Sequence, residues 1–297
     1  MQVTGNIDEV QAVRWAEPGL AWGFVPTMGY LHAGHLALVA RARAENARTA
    51  VSIYVNPTQF APTEDLSRYP RDLARDLTLL EEAGVDLVFT PSDAVMYPPG
   101  FQTYVTVEGV TRPLEGAARP THFRGVATVV AKLFHIIQPH RAYFGQKDAQ
   151  QAVVIRQMAA DLNFGLTVVV CPTVREADGL ALSSRNVYLL PAERAAAPVL
   201  RRALLAAGAA LAAGERQAEV LRAGLRTMIS AESLARLEYV SVAHPLTLAE
   251  LATVGEDGAL VSLAAFFGRT RLIDNLLWPE PAPWSGSADS LIHTEPR

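Results

Sequence analysis

The sequence lacks several features that mark common classes of protein. Its 297 residues include one cysteine, Cys171, which excludes a disulfide framework and a cysteine-based zinc site and which we interpret as a small buried residue. The formal charge of -4 excludes the basic surface of a nucleic-acid binder. No apolar run reaches the roughly 18 residues that span a bilayer, and residues 1–10 lack the pattern of a secretory signal. We therefore expect a cytoplasmic protein without nucleic-acid or membrane partners.

Two nucleotide-binding motifs are also missing. The sequence has neither the Gly-Lys-Ser/Thr of a P-loop nor the Gly-x-Gly-x-x-Gly of a dinucleotide-binding fold. The second absence argues against a nicotinamide-dependent oxidoreductase. What the sequence does contain is material for a large core, because 50% of its residues are hydrophobic and 19% are charged, as in ordinary globular proteins.

Short β-branched runs alternate with amphipathic segments through residue 173. We predict strands at 20–25, 50–55, 85–90, 104–107, 142–144 and 166–170, and helices at 33–47, 71–83 and 125–137. Strands that alternate with helices form parallel β-α-β units. Residues 1–173 are therefore predicted to form an α/β domain with a doubly wound parallel sheet, which is a Rossmann-like fold.

The pattern changes after residue 173. A polar loop at 173–186 precedes a helical region at 191–231, and β-like runs follow at 237–243, 260–264 and 271–275. This order predicts that residues 174–277 form a second, smaller α+β domain, which we interpret as a lid. Residues 278–297 are rich in proline and serine, and we expect them to form a mobile tail.

The segment His32-Ala33-Gly34-His35 marks the predicted junction between the first strand and the first helix. In open α/β sheets, ligands bind beyond the carboxyl ends of the strands. Two histidines three positions apart at a helix start project the same way, and the helix amides favour anions there. A phosphate-binding site is therefore indicated. Half of a metal site and a pair of incidental surface histidines are the alternatives.

His-x-Gly-His in this setting resembles the signature of the nucleotidyltransferase superfamily, which includes the class I aminoacyl-tRNA synthetases. Further stretches at 26–29, 52–60, 123–132, 143–151 and 175–187 follow in an order and spacing that resemble the pantothenate synthetase family over residues 3–277. The resemblance implies an ATP-dependent ligase that joins pantoate to β-alanine through a pantoyl adenylate, releasing AMP and pyrophosphate. It also implies Mg²⁺ with the ATP, and a homodimer in which residues 102–107 form a strand at the interface.

The resemblance implies roles for individual residues. His32, His35 and Lys147 would contact the phosphates, while Ser183, Ser184 and Arg185 would close over them. The expected nucleotide site comprises Pro26, Thr27, Met28, Gly34, Gly145, Gln146, Lys147, Asp148, Val174, Leu182, Ser183, Ser184 and Arg185, with Asp148 on the ribose. The expected pantoate site comprises Asn56, Gln59, Phe60 and Gln151, together with Pro26. Asp76 is the candidate metal ligand, although Arg75 stands where some relatives have a second acid, and a solvated helix acid is the alternative.

Other functions compete with this interpretation. Another His-x-Gly-His adenylyltransferase would account for His32 and His35, but not for Gln59, Gln151 or the second domain. A class I tRNA synthetase is disfavoured by the negative charge and by the absence of a Lys-Met-Ser-Lys-Ser sequence. A nucleotide-binding protein without catalysis is a further alternative, although every expected catalytic position is filled.

Overall fold

The computed structural model describes residues 1–61 and 66–279. The chain divides into two compact units. The first contains Met1–Gly145 and Gln151–Cys171, and the second contains Gln146–Gln150 and the described residues from Pro172 onward. The predicted boundary at 173 lies beside the change at Pro172, but residues 146–150, which were assigned to the first domain, group with the second unit. Of the predicted tail, Trp278 ends a strand and residues 280–297 lie outside the described residues.

The first unit is built on a parallel sheet of six strands, which confirms the predicted doubly wound α/β fold. The strands are β1 (Gln2–Thr4), β2 (Trp22–Thr27), β3 (Arg48–Ile53), β4 (Leu87–Phe89), β5 (Arg141–Gly145) and β6 (Thr167–Cys171). Their order is β1-β4-β3-β2-β5-β6. The chain proceeds from β2 towards one edge and from β5 towards the other, so the carboxyl end of β2 lies at the topological switch point where such sheets bind ligands.

Helices connect these strands. They are α1 (Ile7–Ala16), α2 (Ala33–Glu45), α3 (Leu73–Glu82), α4 (Asp93–Met96), α5 (Glu115–Ala118), α6 (His122–Ile137) and α7 (Ala149–Asp161). Helix α3 begins after Asp72, whose carboxylate caps the Arg75 N–H, and it stops at Gly84, which has a φ of +71°. Val25, Val39, Leu80 and neighbouring side chains form a buried core where α2 and α3 pack on the sheet.

The strand predicted at 104–107 is wrong. These residues have no regular structure, and the Val105 N–H donates to Thr128 Oγ1 on α6 at 3.0 Å instead of to a neighbouring strand. The Arg124 guanidinium lies 3.8 Å from the ring centroid of Tyr104. Residues 104–107 therefore lie against the surface of α6, where the Thr128 hydroxyl accepts the hydrogen bond that a neighbouring strand would otherwise accept. The sequence analysis also missed β1 and α1.

The second unit has an antiparallel sheet of three strands in the order β7-β8-β9. Its elements are α8 (Pro191–Ala196), α9 (Val199–Ala212), α10 (Ala218–Ser230), β7 (Ala235–Ala243), β8 (Ala259–Phe267) and β9 (Thr270–Trp278). This arrangement agrees with the predicted α+β character. By length and composition alone, residues Pro191–Ala212 pass as a membrane span, but half of the apolar window is buried. Leu200, Leu204 and Leu211 belong to the core of this unit, which explains their apolar character.

Candidate active site

The turn between β2 and α2 has a conformation that only a few residues permit. Gly29 has a φ of +80° and Tyr30 a φ of +49°. A Cβ atom on Gly29 would lie 3.0 Å from both Asp76 Oδ2 and Ile53 Cγ2. Thr27, at the end of β2, accepts the Gly29 N–H at 3.2 Å and donates its hydroxyl to the Ser52 carbonyl at 2.7 Å. The turn therefore has a defined path from the strand to the helix.

The two histidines of the motif cap helix α2. His32 is the N-cap residue, and its Nδ1 accepts the Gly34 N–H at 3.1 Å. His35 reaches back, and its Nδ1 accepts the His32 N–H at 3.3 Å. The ring centroids are 4.0 Å apart. Because both Nδ1 atoms accept, the proton of each neutral ring is carried by Nε2. The predicted pair of imidazoles is thus held together at a helix N-terminus as two N–H donors.

Asp76 holds the same turn from α3. Its carboxylate is 1% exposed and accepts the Tyr30 N–H at 2.7 Å and the Leu31 N–H at 2.8 Å. Arg75 Nη1 lies 3.7 Å from Asp76 Oδ1. Burial raises the pKa of Asp76, and the two backbone N–H donors and Arg75 oppose that rise. The carboxylate therefore anchors the backbone that leads into His32.

Asp76 was predicted to bind Mg²⁺, with a solvated helix acid as the alternative, and its 1% exposure contradicts that alternative. Each of its carboxylate oxygens accepts one backbone N–H group, which is a structural role that the prediction did not include. Across residues 1–61 and 66–279, no group of three or more His, Cys, Asp or Glu side chains is placed to hold a metal ion. The metal role of Asp76 stays a prediction.

The residues predicted to bind the acid gather in and around a 3₁₀ turn, Pro57–Gln59. Asn56 is 1% exposed and caps this turn, and its Nδ2 donates to Gln59 Oε1 at 3.1 Å. Gln59 Nε2 donates to Met28 Sδ at 3.3 Å. Phe60 is buried, with its ring centroid 5.9 Å from that of Tyr69 in an edge-to-face contact. The structure therefore joins Met28, Asn56 and Gln59, which come from two different strand ends.

Helix α6 packs tightly against this turn. A Cβ atom on Gly125 would lie 2.5 Å from the Thr58 carbonyl oxygen, so only glycine permits the close approach. His122 Nδ1 lies 3.0 Å from the Gln59 carbonyl oxygen, and Arg119 Nη2 donates to that oxygen at 3.3 Å. The backbone of Gln59 is thereby held by α6 and its preceding residues. His122 and Arg119 are not among the predicted site residues. His122 begins an otherwise apolar helix, and that polar start was its only signal.

Gln151, the other predicted acid ligand, lies on α7 and is partly buried. Gly145 ends β5, and Pro26 pairs with Ser52 within the sheet. Their predicted roles remain predictions.

In the second unit, the predicted phosphate-binding lysine lies in a 3₁₀ turn, Gln146–Asp148. Lys147 Nζ is 3.7 Å from Asp148 Oδ1. Asn275 on β9 is 3% exposed, and its Nδ2 donates at 2.9 Å to the carbonyls of both Gln146 and Lys147. Gln146 Nε2 returns a bond to Asn275 Oδ1 at 3.3 Å. The turn that carries Lys147 is therefore fixed by β9, and the sequence analysis missed Asn275 because it lies outside every motif.

The predicted phosphate-closing loop is a tight hairpin in the same unit. The Leu182 N–H donates to the Val174 carbonyl at 3.0 Å, and Arg175 pairs with Ala181. Ser183 caps a 3₁₀ turn, Ser184–Tyr188, with its hydroxyl accepting the Arg185 N–H at 3.3 Å. The structure thus pairs Leu182, which directly precedes Ser183, with Val174 on the opposite arm of the hairpin.

A bidentate ion pair supports the base of that hairpin. Arg175 donates to the two carboxylate oxygens of Asp274 at 2.7 and 2.9 Å, and Asp274 is 3% exposed. Two parallel charge-assisted bonds give a defined orientation as well as energy. Residues 274 and 275 of β9 therefore hold the hairpin and the lysine turn, respectively.

Comparisons with known proteins show the family to which the chain belongs. The family model for pantoate-beta-alanine ligase matches residues 2–277. The chain is 65% identical over 277 residues to the pantothenate synthetase of Chloroflexus aggregans, covering 93% of this chain and 99% of that protein. It is 60% identical over 279 residues to the pantothenate synthetase of Herpetosiphon aurantiacus, covering 93% of this chain and 100% of that protein.

Solved structures give the same result. A pantothenate synthetase from Thermus thermophilus matches with a TM-score of 0.88 and 52% identity, over 93% of this chain and 99% of that one. A pantoate-beta-alanine ligase from Francisella tularensis, complexed with beta-gamma ATP and beta-alanine, matches with a TM-score of 0.77 and 34% identity, over 93% of this chain and 97% of that one.

The fold and the family match together define a Rossmann-like ligase with a smaller antiparallel domain. The chain belongs to the pantoate–β-alanine ligase family, and it is an enzyme of pantothenate biosynthesis. The resemblance inferred from the motifs is thereby confirmed.

Proposed function

We propose that the enzyme condenses pantoate with β-alanine in two steps and uses ATP to activate the acid. In the first step, a pantoate carboxylate oxygen bonds to the α-phosphorus of ATP, and the bond to the bridging oxygen breaks to release pyrophosphate. In the second, the β-alanine amine attacks the acyl carbon of pantoyl adenylate, AMP leaves, and the amine loses a proton. Family membership supports the overall reaction, and the nucleotide and β-alanine in the Francisella tularensis relative support the substrates.

The observation that carries this proposal is the geometry of the histidine pair. With both Nδ1 atoms bonded to backbone N–H groups, His32 and His35 offer Nε2–H donors at the start of α2. Negative charge grows on the pyrophosphate as it leaves, and in this proposal the two imidazole donors stabilise that charge more in the transition state than in the ground state. The helix N-terminus adds partial positive charge at the same place. No covalent enzyme intermediate is required.

Residues of the second unit supply further cationic and hydroxyl groups in this proposal. Lys147 binds the β- and γ-phosphates as a mobile point charge, and Arg185 gives bidentate contacts. Ser183 and Ser184 donate hydroxyls, and Asp148 accepts from the ribose. Val174, Leu182, Gly145 and Gln146 shape the nucleotide site with Pro26, Thr27, Met28 and Gly34. A lid role for the second unit belongs to the same proposal.

The acid lies, in this proposal, against Asn56, Gln59, Phe60 and Gln151, with Pro26 beside them. The glutamine amides hydrogen-bond the carboxylate and hydroxyl oxygens of pantoate. The buried ring of Phe60 gives an apolar surface for its methyl groups and helps exclude water, which would otherwise hydrolyse the adenylate.

Magnesium enters this proposal bound to the phosphates of ATP, where it neutralises charge. Mg²⁺ keeps several waters and uses few protein carboxylates, which agrees with an Asp76 engaged by backbone N–H groups. A cytoplasmic location and a homodimer also remain proposals. The dimer expectation rested on a strand at 102–107, and that segment has no regular structure in the described chain.

The test separates the two steps. Exchange of labelled pyrophosphate into ATP is measured with pantoate alone, and AMP release is measured with pantoate and β-alanine, separately and together. Exchange that requires only pantoate, with AMP turnover that requires both and equals the pantothenate formed, supports the proposal. Transfer of AMP in the absence of both substrates would instead indicate another His-x-Gly-His adenylyltransferase.

A further inference from the structure

A buried chain of hydrogen bonds around Asn56 has a fixed polarity. Asn56 Oδ1 accepts the backbone N–H of Thr58 at 3.3 Å, and Asn56 Nδ2 donates to the backbone carbonyl of Gly125 at 3.1 Å. A backbone N–H only donates and a carbonyl only accepts. These two neighbours therefore determine which side of the Asn56 amide is oxygen and which is nitrogen, an assignment that otherwise depends on the surrounding network.

This polarity is passed on to Gln59. Because Asn56 Nδ2 also donates to Gln59 at 3.1 Å, the atom that faces it must be Oε1. The other end of the Gln59 amide is then Nε2, which donates to Met28 Sδ at 3.3 Å. A thioether is a weak acceptor, so a substrate oxygen competes well for this NH₂ group. Gln59 consequently presents donors, and not an acceptor, away from Asn56.

Tyr97 provides the first donor in this series of hydrogen bonds. Its hydroxyl donates to Asn56 Oδ1 at 2.8 Å, which is the shortest bond that this oxygen accepts. Burial raises the pKa of Tyr97, so the phenol keeps its proton and remains a donor. The ring is held by an edge-to-face contact with Phe101, with centroids 5.0 Å apart. Thr58 Oγ1 also donates to Asn56 Oδ1, at 2.9 Å.

We infer that Tyr97 is a positioning residue of the acid site, which acts through Asn56 to hold the Gln59 amide with its N–H groups towards the substrate. The arrangement selects a substrate oxygen that accepts a hydrogen bond, such as an ionised carboxylate or a hydroxyl oxygen. A reversed Gln59 amide would bring its Nε2 against Asn56 Nδ2, so that two donors would face each other. This inference rests on the proposed function, because it assigns Gln59 to the acid.

The first test replaces Tyr97 with phenylalanine, which removes only the hydroxyl. Thr58 continues to supply two donors to Asn56 Oδ1, so the KM for pantoate should rise by about three- to tenfold, the range for one neutral hydrogen bond. The KM for ATP should stay unchanged. Tyr54→Phe is the matched control, because Tyr54 is a buried tyrosine whose hydroxyl donates instead to Asp93, at 2.9 Å. That variant should keep the wild-type KM for pantoate.

A double-mutant cycle shows whether Tyr97 acts through Gln59. In a Gln59→Met background, Tyr97→Phe should change the KM for pantoate by less than about twofold, because residues of one network do not contribute additively. Equal effects in both backgrounds, or an equal rise in the KM for ATP, would overturn the inference. If Tyr97→Phe lowers the yield of folded enzyme, the KM values are measured on the folded fraction isolated by size-exclusion chromatography, and the same two outcomes decide the inference.

The outcome for this inference is separable from the outcome for the function. Wild-type enzyme that fails to form pantothenate from pantoate contradicts the proposed function whatever the variants do. Wild-type enzyme that uses pantoate, together with additive effects in the cycle, contradicts only the positioning role of Tyr97.

Discussion

Two substitutions at His35 can separate its role in capping a helix from its role in catalysis. His35 is the third residue of α2, and its Nδ1 accepts the His32 N–H at 3.3 Å. Alanine removes that bond and the Nε2–H donor together. Glutamate is the residue that capping boxes commonly use at this position, so it can restore the acceptor, but a carboxylate has no proton to donate.

The two effects differ in size. Loss of the capping bond in His35→Ala should lower the free energy of unfolding by about 1 kcal/mol, which corresponds to a fall in Tm of roughly 1–2 °C for a chain of this size. Loss of a transition-state donor should lower turnover by about 10²–10³-fold, or about 2.7–4 kcal/mol. His35→Glu should recover the stability while its turnover stays at or below that of the alanine variant, because its charge repels the phosphates.

Pyrophosphate release under saturating substrates measures turnover, and thermal unfolding of the same samples measures stability. Wild-type and variant enzymes are compared at equal Mg²⁺ and ATP. If turnover recovers together with stability in His35→Glu, His35 is a helix cap without a catalytic role. A turnover within about threefold of wild type for His35→Ala would lead to the same conclusion.

Three further predictions concern buried groups. Asp76→Asn should lower the free energy of unfolding by about 1–3 kcal/mol, because one of the Tyr30 and Leu31 N–H groups loses its acceptor. A raised Mg²⁺ requirement in activity titrations of this variant would instead indicate that Asp76 binds the metal. Asn275→Ala should raise the KM for ATP about tenfold in the pyrophosphate assay, because the carbonyls of Gln146 and Lys147 lose the donor that holds their turn. An unchanged KM would show that the position of this turn does not matter for ATP binding. Burial raises the pKa of Cys171 to about 11, so the thiol of the folded protein stays protonated until the pH approaches that value. At about pH 8.5, iodoacetamide should therefore label the urea-unfolded protein and leave the native protein unlabelled. Rapid labelling of the native protein would contradict this prediction.

The local pattern of the sequence was sufficient for the architecture and for the family. Alternation of apolar strands with amphipathic helices predicted the parallel sheet, because both signals depend on neighbours a few residues apart. The His32–His35 tetrad indicated a helix start with two imidazoles, since position in the first turn determines where side chains project. The predicted strand at 104–107 failed for the complementary reason, because contacts with Arg124 and Thr128, about 20 positions further along the chain, hold that backbone against α6.

Only the tertiary structure decided which polar atoms face each other. Asp76 lies 45 positions from Leu31, whose N–H it accepts, and Asn275 lies 128 positions from Lys147. The orientation of the Asn56 amide depends on Gly125, 69 positions away. A hydrogen bond requires a donor and an acceptor within about 3.5 Å at a suitable angle, and no periodicity along the chain encodes that meeting. The sequence by itself therefore determined the fold class and the family, whereas the packing of distant elements determined how the predicted site residues are held.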